Sequence, residues 1–304
     1  MSLISKEKGR VLRIERTSIH DGDGLRTVVF MKGCSLTCRW CSTPESQNII
    51  AEKGYLSDKC VGCGRCIELC PHGALSFSPK KKIIADKNKC TKCFNCIDVC
   101  PYGAYKKYGD LMTTEELLHE ISKDEIFYFH SGGGVTFSGG EPLLQAPFVA
   151  EVMKQCKKRG IHTAIETCLY APYESVEQLL PWLDVLYADI KHMDCLEHKL
   201  YTGADNSLIL ENIKKIDSSP YPVDIFIRIP IIPGINDSKD NLSKTAEFCS
   251  NIKKLKEIEL LPYHRLGTQT YKNLGIDYRL AKILPPSTER MEELRDFIKS
   301  RTYF

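Results

Sequence analysis

Three cysteines, Cys34, Cys38 and Cys41, stand in the stretch Cys-Ser-Leu-Thr-Cys-Arg-Trp-Cys. The spacing is C-x3-C-x2-C, and no fourth cysteine follows nearby. Zinc sites and cubane iron–sulfur clusters ordinarily take four protein ligands. Either a distant residue completes this set, or one metal corner is kept for a reacting molecule. The two cases differ chemically. A fully ligated cluster only passes electrons, whereas an iron without a protein ligand can chelate a small molecule and activate it.

Two further runs settle where the other cysteines belong. Cys60, Cys63, Cys66 and Cys70, followed by Pro71, repeat as Cys90, Cys93, Cys96 and Cys100, followed by Pro101. Each run is C-x2-C-x2-C-x3-C-P, the bacterial two-cluster ferredoxin pattern. Three close cysteines wrap one corner of a cubane. The fourth, on the short helix that follows, reaches the other cluster. Cys60, Cys63, Cys66 and Cys100 should therefore hold one [4Fe-4S] cluster, and Cys90, Cys93, Cys96 and Cys70 the second. The segments Pro-His-Gly-Ala-Leu and Pro-Tyr-Gly-Ala-Tyr follow the two runs, which marks an internal duplication. A pair of zinc knuckles would have no use for the trailing Cys-Pro. Cys156 and Cys249 read as inert thiols on apolar helix faces, and no spacing recommends Cys168 or Cys195 as ligands. The first three cysteines are thus expected to carry a [4Fe-4S] cluster with one iron lacking a protein ligand.

Fifteen cysteines in 304 residues point to metal ligation, because a reducing compartment disfavours a disulfide framework. A formal net charge of +3 gives no argument for nucleic acid. No apolar run reaches membrane-spanning length, and the first residues lack a signal-peptide core. The expectation is a cytoplasmic monomer with no membrane and no nucleic-acid partner.

The elements that would position these cysteines alternate. Strands are expected at 25–32, 135–137, 161–167, 185–190, 223–232 and 258–261. Helices are expected at 147–159, 207–216, 240–255 and 288–299. Basic residues in the last turn and Gly160 stop the first of these helices. Strands separated by helices imply parallel βαβ units. About six units fit, interrupted at 52–108 by the two cysteine runs. The expected division is 1–51 with the cluster loop, 52–108 as an insert, and 109–304 as the remainder. Three polar motifs fall at strand ends, where parallel α/β folds place their chemistry. These are Ser138-Gly139-Gly140-Glu141-Pro142, Glu166-Thr167 and Asp189-Ile190-Lys191. The bland readings are a tight turn for the first and a mutual ion pair for the last.

The C-x3-C-x2-C loop with Trp40 before its last cysteine resembles the radical S-adenosylmethionine (SAM) enzymes. His20-Asp21-Gly22-Asp23-Gly24-Leu25-Arg26 is similar to the Asp-Gly-Pro-Gly-Ile-Arg motif of one branch, the glycyl radical enzyme activating enzymes. Pyruvate formate-lyase activase is its short member. Val-Thr-Phe-Ser-Gly-Gly-Glu-Pro, Asp-Ile-Lys-His-Met-Asp and Arg-Ile-Pro-Ile-Ile-Pro-Gly resemble the same branch, so the likeness spans essentially the whole chain. It implies an α/β fold, a partial (β/α)6 TIM-like barrel with an inserted bacterial-type 2[4Fe-4S] ferredoxin domain. It implies an oxidoreductase that cleaves SAM reductively to a 5′-deoxyadenosyl radical and installs a glycyl radical on a partner enzyme. Reduced flavodoxin or ferredoxin would supply the electron.

The resemblance also assigns residues. Gly139, Gly140 and Glu141 contact the methionine part of SAM, and Lys191 its carboxylate. Asp189, Glu166 and Thr167 lie near SAM or a monovalent cation. Arg228 lies near SAM, His264 at the nucleoside and Trp40 near the adenine. Asp21 and Arg26 touch the partner's glycine loop. One departure is the aspartate at position 23, where the branch has proline. An aspartate between glycines can hydrogen-bond the backbone where a proline would fix φ. A radical SAM enzyme acting on a small molecule or another peptide shares the cluster but not the motif at 20–26. A plain electron-transfer iron–sulfur protein leaves the three-cysteine loop and the strand-end motifs unexplained.

Overall fold

The computed structural model describes residues 7–302. In chain order the strands are β1 (Lys8–Ser18), β2 (Arg26–Met31), β3 (Glu52–Tyr55), β4 (Leu75–Phe77), β5 (Ile83–Ala85), β6 (Tyr105–Tyr108), β7 (Asp110–Thr113), β8 (Gly134–Gly139), β9 (His162–Thr167), β10 (Val185–Asp189), β11 (Asp224–Ile231) and β12 (Leu255–Pro262). The helices are α1 (Arg65–Glu68), α2 (Asn95–Asp98), α3 (Thr114–Ser122), α4 (Glu125–Ser131), α5 (Ala146–Lys158), α6 (Tyr173–Glu177), α7 (Cys195–Thr202), α8 (Ser207–Ser218), α9 (Lys239–Cys249), α10 (Thr268–Leu274) and α11 (Thr288–Lys299).

Eight strands make one mostly parallel sheet in the order β7-β1-β2-β8-β9-β10-β11-β12. From β2 to β12 every neighbouring pair is parallel. β1 lies antiparallel between β2 and β7, and the alternation announced neither β1 nor β7. Helix α9 stops at Cys249, short of the expected 255, because Leu255 already opens β12.

Alternation sends one set of side chains toward the helices. Phe137, Ile165, Leu186, Ile225 and Ile227 from the strands pack with Val149, Val152 and Met153 of α5, Ile213 of α8, Leu242 of α9 and Leu294 of α11. Each such side chain removed from water contributes about 1.5–3 kcal/mol. α5 ends as its sequence suggests. Lys157 and Lys158 fill its last turn, and Gly160 follows at φ +71°. α3 opens on a capping box, Thr113 accepting from Glu116 N at 3.2 Å while its own N–H donates to Glu116 Oε2 at 2.7 Å.

The other set of strand residues is polar and faces away from the helices. Arg26, Thr136, Ser138, Glu166, Tyr187 and Arg228 meet there. The loop at 18–25 folds down onto them. Its turn needs glycine, since Gly22 has φ +123° and Gly24 φ +67° with the Gly133 backbone against it.

Residues 52–108 stand apart from this sheet. β3 pairs with β6, so Glu52 faces Tyr108, and β4 pairs with β5. The short helices α1 and α2 each follow a cysteine loop. Among the described residues, no helix is long and apolar enough to cross a membrane.

Candidate active site

The chain leaves β2 at Gly33 and forms the loop that bears Cys34, Cys38 and Cys41. Backbone bonds hold this loop open. Cys34 N donates to Gln47 O (3.0 Å), Thr37 N to Thr202 O (2.7 Å) and Arg39 N to Tyr201 O (3.0 Å). All three cysteines line one cavity of about 310 Å³. The same cavity is lined by Trp40, Gly139, Gly140, Glu166, Thr167, Asp189, Lys191 and His264. Strand ends separated by up to 230 residues in sequence thus converge on the cysteine loop.

The two glycines are required by the protein itself. Gly139 has φ +106°, and a Cβ on Gly140 would stand 2.0 Å from the Gly33 carbonyl. Only glycine lets the end of β8 pass this close to the loop. Lys191 Nζ donates to Asp189 Oδ2 at 2.9 Å, so the ion pair exists and also faces the cavity. Burial works against the Lys191 ammonium, but Asp189 and the sulfurs of Cys38 and Cys168 outweigh it and push its pKa up.

Three of the residues assigned by resemblance are held by contacts within the protein. Glu141 is fully buried and does not line the cavity. Its Oε1 accepts from Leu143 N (3.0 Å) and Thr167 Oγ1 (2.7 Å), and its Oε2 from Cys168 N (2.8 Å) and Cys168 Sγ (2.9 Å). It clamps the end of β9 to the start of the segment after β8. Arg228 stacks on Tyr187, its Cζ 3.9 Å from the ring centroid. It donates to Glu259 Oε2 (2.7 Å) and His20 O (3.1 Å) and pairs with Glu166. It therefore orders Glu166 and the 18–25 loop and lies behind the cavity wall. Arg26, expected at a partner's surface, is 1% exposed. Its guanidinium donates to Thr136 Oγ1 (2.7 Å), Val135 O (2.8 Å) and Asp23 O (3.3 Å). Burial lowers its pKa, and the fields of Tyr187 and Asp23 act the other way. Asp21 is half-buried, accepts from Ser18 Oγ, and its carbonyl accepts from Thr136 Oγ1 at 2.7 Å.

Sequence reasoning missed Cys168. It lines the cavity beside Cys34, and its sulfur is held by Glu141. The available signal was its place immediately after Glu166-Thr167 at a strand end. Cys156 and Cys249 are buried in the helix-side core as inert thiols.

The donor set fits a metal cluster. Burial pushes the Cys38 thiol up to about 12 and raises Cys41 as well, while the hydrogen bond with Cys168 lowers Cys34. Sulfurs gathered in such surroundings ionise together only beside a cation. In the appended segment, Cys60, Cys63, Cys66 and Cys100 surround one small cavity, and Cys70, Cys90, Cys93 and Cys96 a second. The two quartets receive matching N–H···S bonds, Ala74 N to Cys70 Sγ (3.4 Å) and Ala104 N to Cys100 Sγ (3.3 Å). Among the described residues, no three His, Cys, Asp or Glu side chains converge tightly enough to share a single ion.

Comparison with known proteins agrees with this geometry. A family model described as the Radical SAM superfamily matches residues 28–249. The (2S)-3-sulfopropanediol dehydratase activating enzyme of Klebsiella oxytoca is 42% identical over 281 residues, covering 90% of this chain and 88% of that protein. The trans-4-hydroxy-L-proline dehydratase activating enzyme of Clostridioides difficile is 41% identical over 296 residues, covering 96% and 97%. A radical SAM methyltransferase from Sphaerobacter thermophilus, known from its crystal structure, superposes with a TM-score of 0.55 over 96% of this chain and 74% of its own. At 10% identity that likeness speaks for the fold alone. The chain belongs to the radical SAM superfamily and, within it, to the glycyl radical enzyme activating enzymes.

Proposed function

We propose that the 310 Å³ cavity binds SAM against a [4Fe-4S] cluster held by Cys34, Cys38 and Cys41, and that a glycine Cα of a partner glycyl radical enzyme is the hydrogen donor. The observation that carries this reading is the convergence of three cysteines, two backbone glycines and a partly buried Asp–Lys pair on one cavity. With cluster and SAM bound, one-electron reduction of the sulfonium supplies the 5′-deoxyadenosyl radical. The protein's own residues bind, orient and shield. The Lys191 ammonium meets the SAM carboxylate. The backbone at Gly139 and Gly140 is free to approach the amino group closely. Trp40 and His264 flank the nucleoside, and Asp189, Glu166 and Thr167 form a carboxylate-rich edge suited to a monovalent cation. The 18–25 loop, pinned from within by Arg26, offers Asp21 to the partner's glycine loop. Transfer of the hydrogen runs downhill because amide groups on both sides stabilise the glycyl radical.

In this reading the parallel sheet is a partial (β/α)6 barrel made by residues 1–51 and 109–304. Residues 52–108 are a ferredoxin-type insert with two further [4Fe-4S] clusters on the crossed quartets. Reduced flavodoxin or ferredoxin delivers the electron to a monomeric, cytoplasmic activase.

Anaerobic incubation with SAM and a chemical reductant should release 5′-deoxyadenosine. Adding the co-expressed glycyl radical enzyme should give a glycine-centred EPR doublet. Cys38→Ala should abolish both. Cys168→Ala should keep the iron of the first site. Loss of that iron in Cys168→Ala would make Cys168 a fourth ligand and overturn the proposal.

A further inference from the structure

Residues 52–108 hold eleven lysines and arginines against five aspartates and glutamates, while the rest of the chain holds 31 basic and 34 acidic residues. The positive surplus of the protein is thus confined to the segment with the crossed cysteines. Part of it is gathered beside one quartet. The turn between β4 and β5 is closed by Ser78 N to Lys82 O (2.7 Å) and Lys81 N to Ser78 O (2.9 Å). This turn lies along the cysteine loop. A Cβ on Gly62 would stand 3.7 Å from the Lys81 carbonyl, and one on Gly64 would stand 3.6 Å from the Phe77 ring. Cys63, between those glycines, is exposed.

The neighbourhood has an apolar centre and a basic rim. Val61 is 60% exposed and Phe77 44%. Lys59, Lys80, Lys81 and Lys82 are exposed, and among the described residues no carboxylate pairs with any of them. An apolar centre ringed by charge is the anatomy of a protein interface. Thiolate-ligated clusters are themselves anionic, so lysines without a carboxylate partner, among them Lys82 with its Nζ on Ser57 O (2.8 Å), would let a negative partner approach a negative site.

We infer that this face docks an acidic one-electron carrier protein, with the carrier's carboxylates against Lys59, Lys80, Lys81 and Lys82 and its redox group over Cys63. The inference rests on the reading that the two quartets hold iron–sulfur clusters. The carrier is oxidised by one electron for each SAM consumed, and no bond or proton moves in the docking complex itself.

The test is binding of flavodoxin to the fully iron-loaded protein under anaerobic conditions. Affinity should fall about tenfold between about 50 and 300 mM salt. The triple variant Lys80→Glu, Lys81→Glu, Lys82→Glu should lose about tenfold or more. Val61→Asp should weaken binding independently. Lys158→Glu with Lys253→Glu, on the helix-covered side of the main sheet, should leave affinity unchanged. Iron content and dithionite-driven release of 5′-deoxyadenosine should match the parent in every variant. Parent-like affinity in both the triple variant and Val61→Asp would overturn the docking face. Failure of the parent to release 5′-deoxyadenosine with dithionite would sink the functional reading instead, and carrier affinity separates the two.

Discussion

Glutamate 141 offers a sharp test, because resemblance and geometry give it different work. Resemblance puts it on SAM; the structure makes it a clamp with four donors on one carboxylate. In Glu141→Gln one oxygen becomes an NH2. If that nitrogen stands at Oε2, it faces the Cys168 N–H, donor against donor. If the amide flips, the loss passes to Leu143 N and Thr167 Oγ1. In either pose a buried backbone N–H loses a charged acceptor worth about 1.5–3 kcal/mol and is left unpaired. The expected cost is about 3 kcal/mol, or about 5 °C in Tm for a chain of this length. The assay is anaerobic thermal unfolding of the iron-loaded protein, with SAM affinity measured alongside. The clamp predicts a lowered Tm, with SAM affinity falling only as far as the cavity wall loosens. An unchanged Tm with SAM affinity reduced more than tenfold would refute the clamp and return Glu141 to the ligand site.

Arg26→Ala removes a buried guanidinium with four acceptors, Thr136 Oγ1, Val135 O, Asp23 O and His162 Nδ1, so stability should fall by about 2–4 kcal/mol in urea titrations, and partner affinity should fall with it because the 18–25 loop loses its anchor. Weakened partner binding at full stability would instead place Arg26 in direct contact. His162 has its pKa lowered from 6.5 by burial and then by Arg26, so it stays neutral in the fold while the unfolded chain takes up a proton. That contribution is present above pH 6.5 and is lost as the pH falls toward the depressed folded value. His162→Gln should therefore show a shallower loss of stability between about pH 7 and 5, read from urea midpoints; an unaltered slope would mean that His162 does not carry the acid sensitivity.

The six parallel strands could be read in the sequence because each is a run of β-branched or apolar residues ended by a polar motif, as in Ala188-Asp189 or Ile165-Glu166-Thr167. The crossed grouping of Cys70 and Cys100 came from the match to the bacterial ferredoxin spacing, and the structure gathers the same two sets of four cysteines around separate cavities. β1 was harder. Its Arg13, Glu15 and Arg16 blur the alternation, and its partner β7 lies beyond the whole insert. Pairings of that range leave no local trace. The surroundings of Arg26 and Cys168 were illegible for a related reason. An arginine in a loop motif reads as exposed, and nothing nearby in sequence says that Thr136 and Val135 will enclose it. The environment of Cys168 depends on Glu141, 27 residues earlier.

The pairing of Glu52 with Tyr108 brings the two ends of the cysteine-rich appendage side by side. A module whose entrance and exit touch can be gained or lost in one step, leaving the flanking polypeptide only a tight turn to bridge. Length and composition between those two ends can therefore vary with little effect on the eight-stranded sheet.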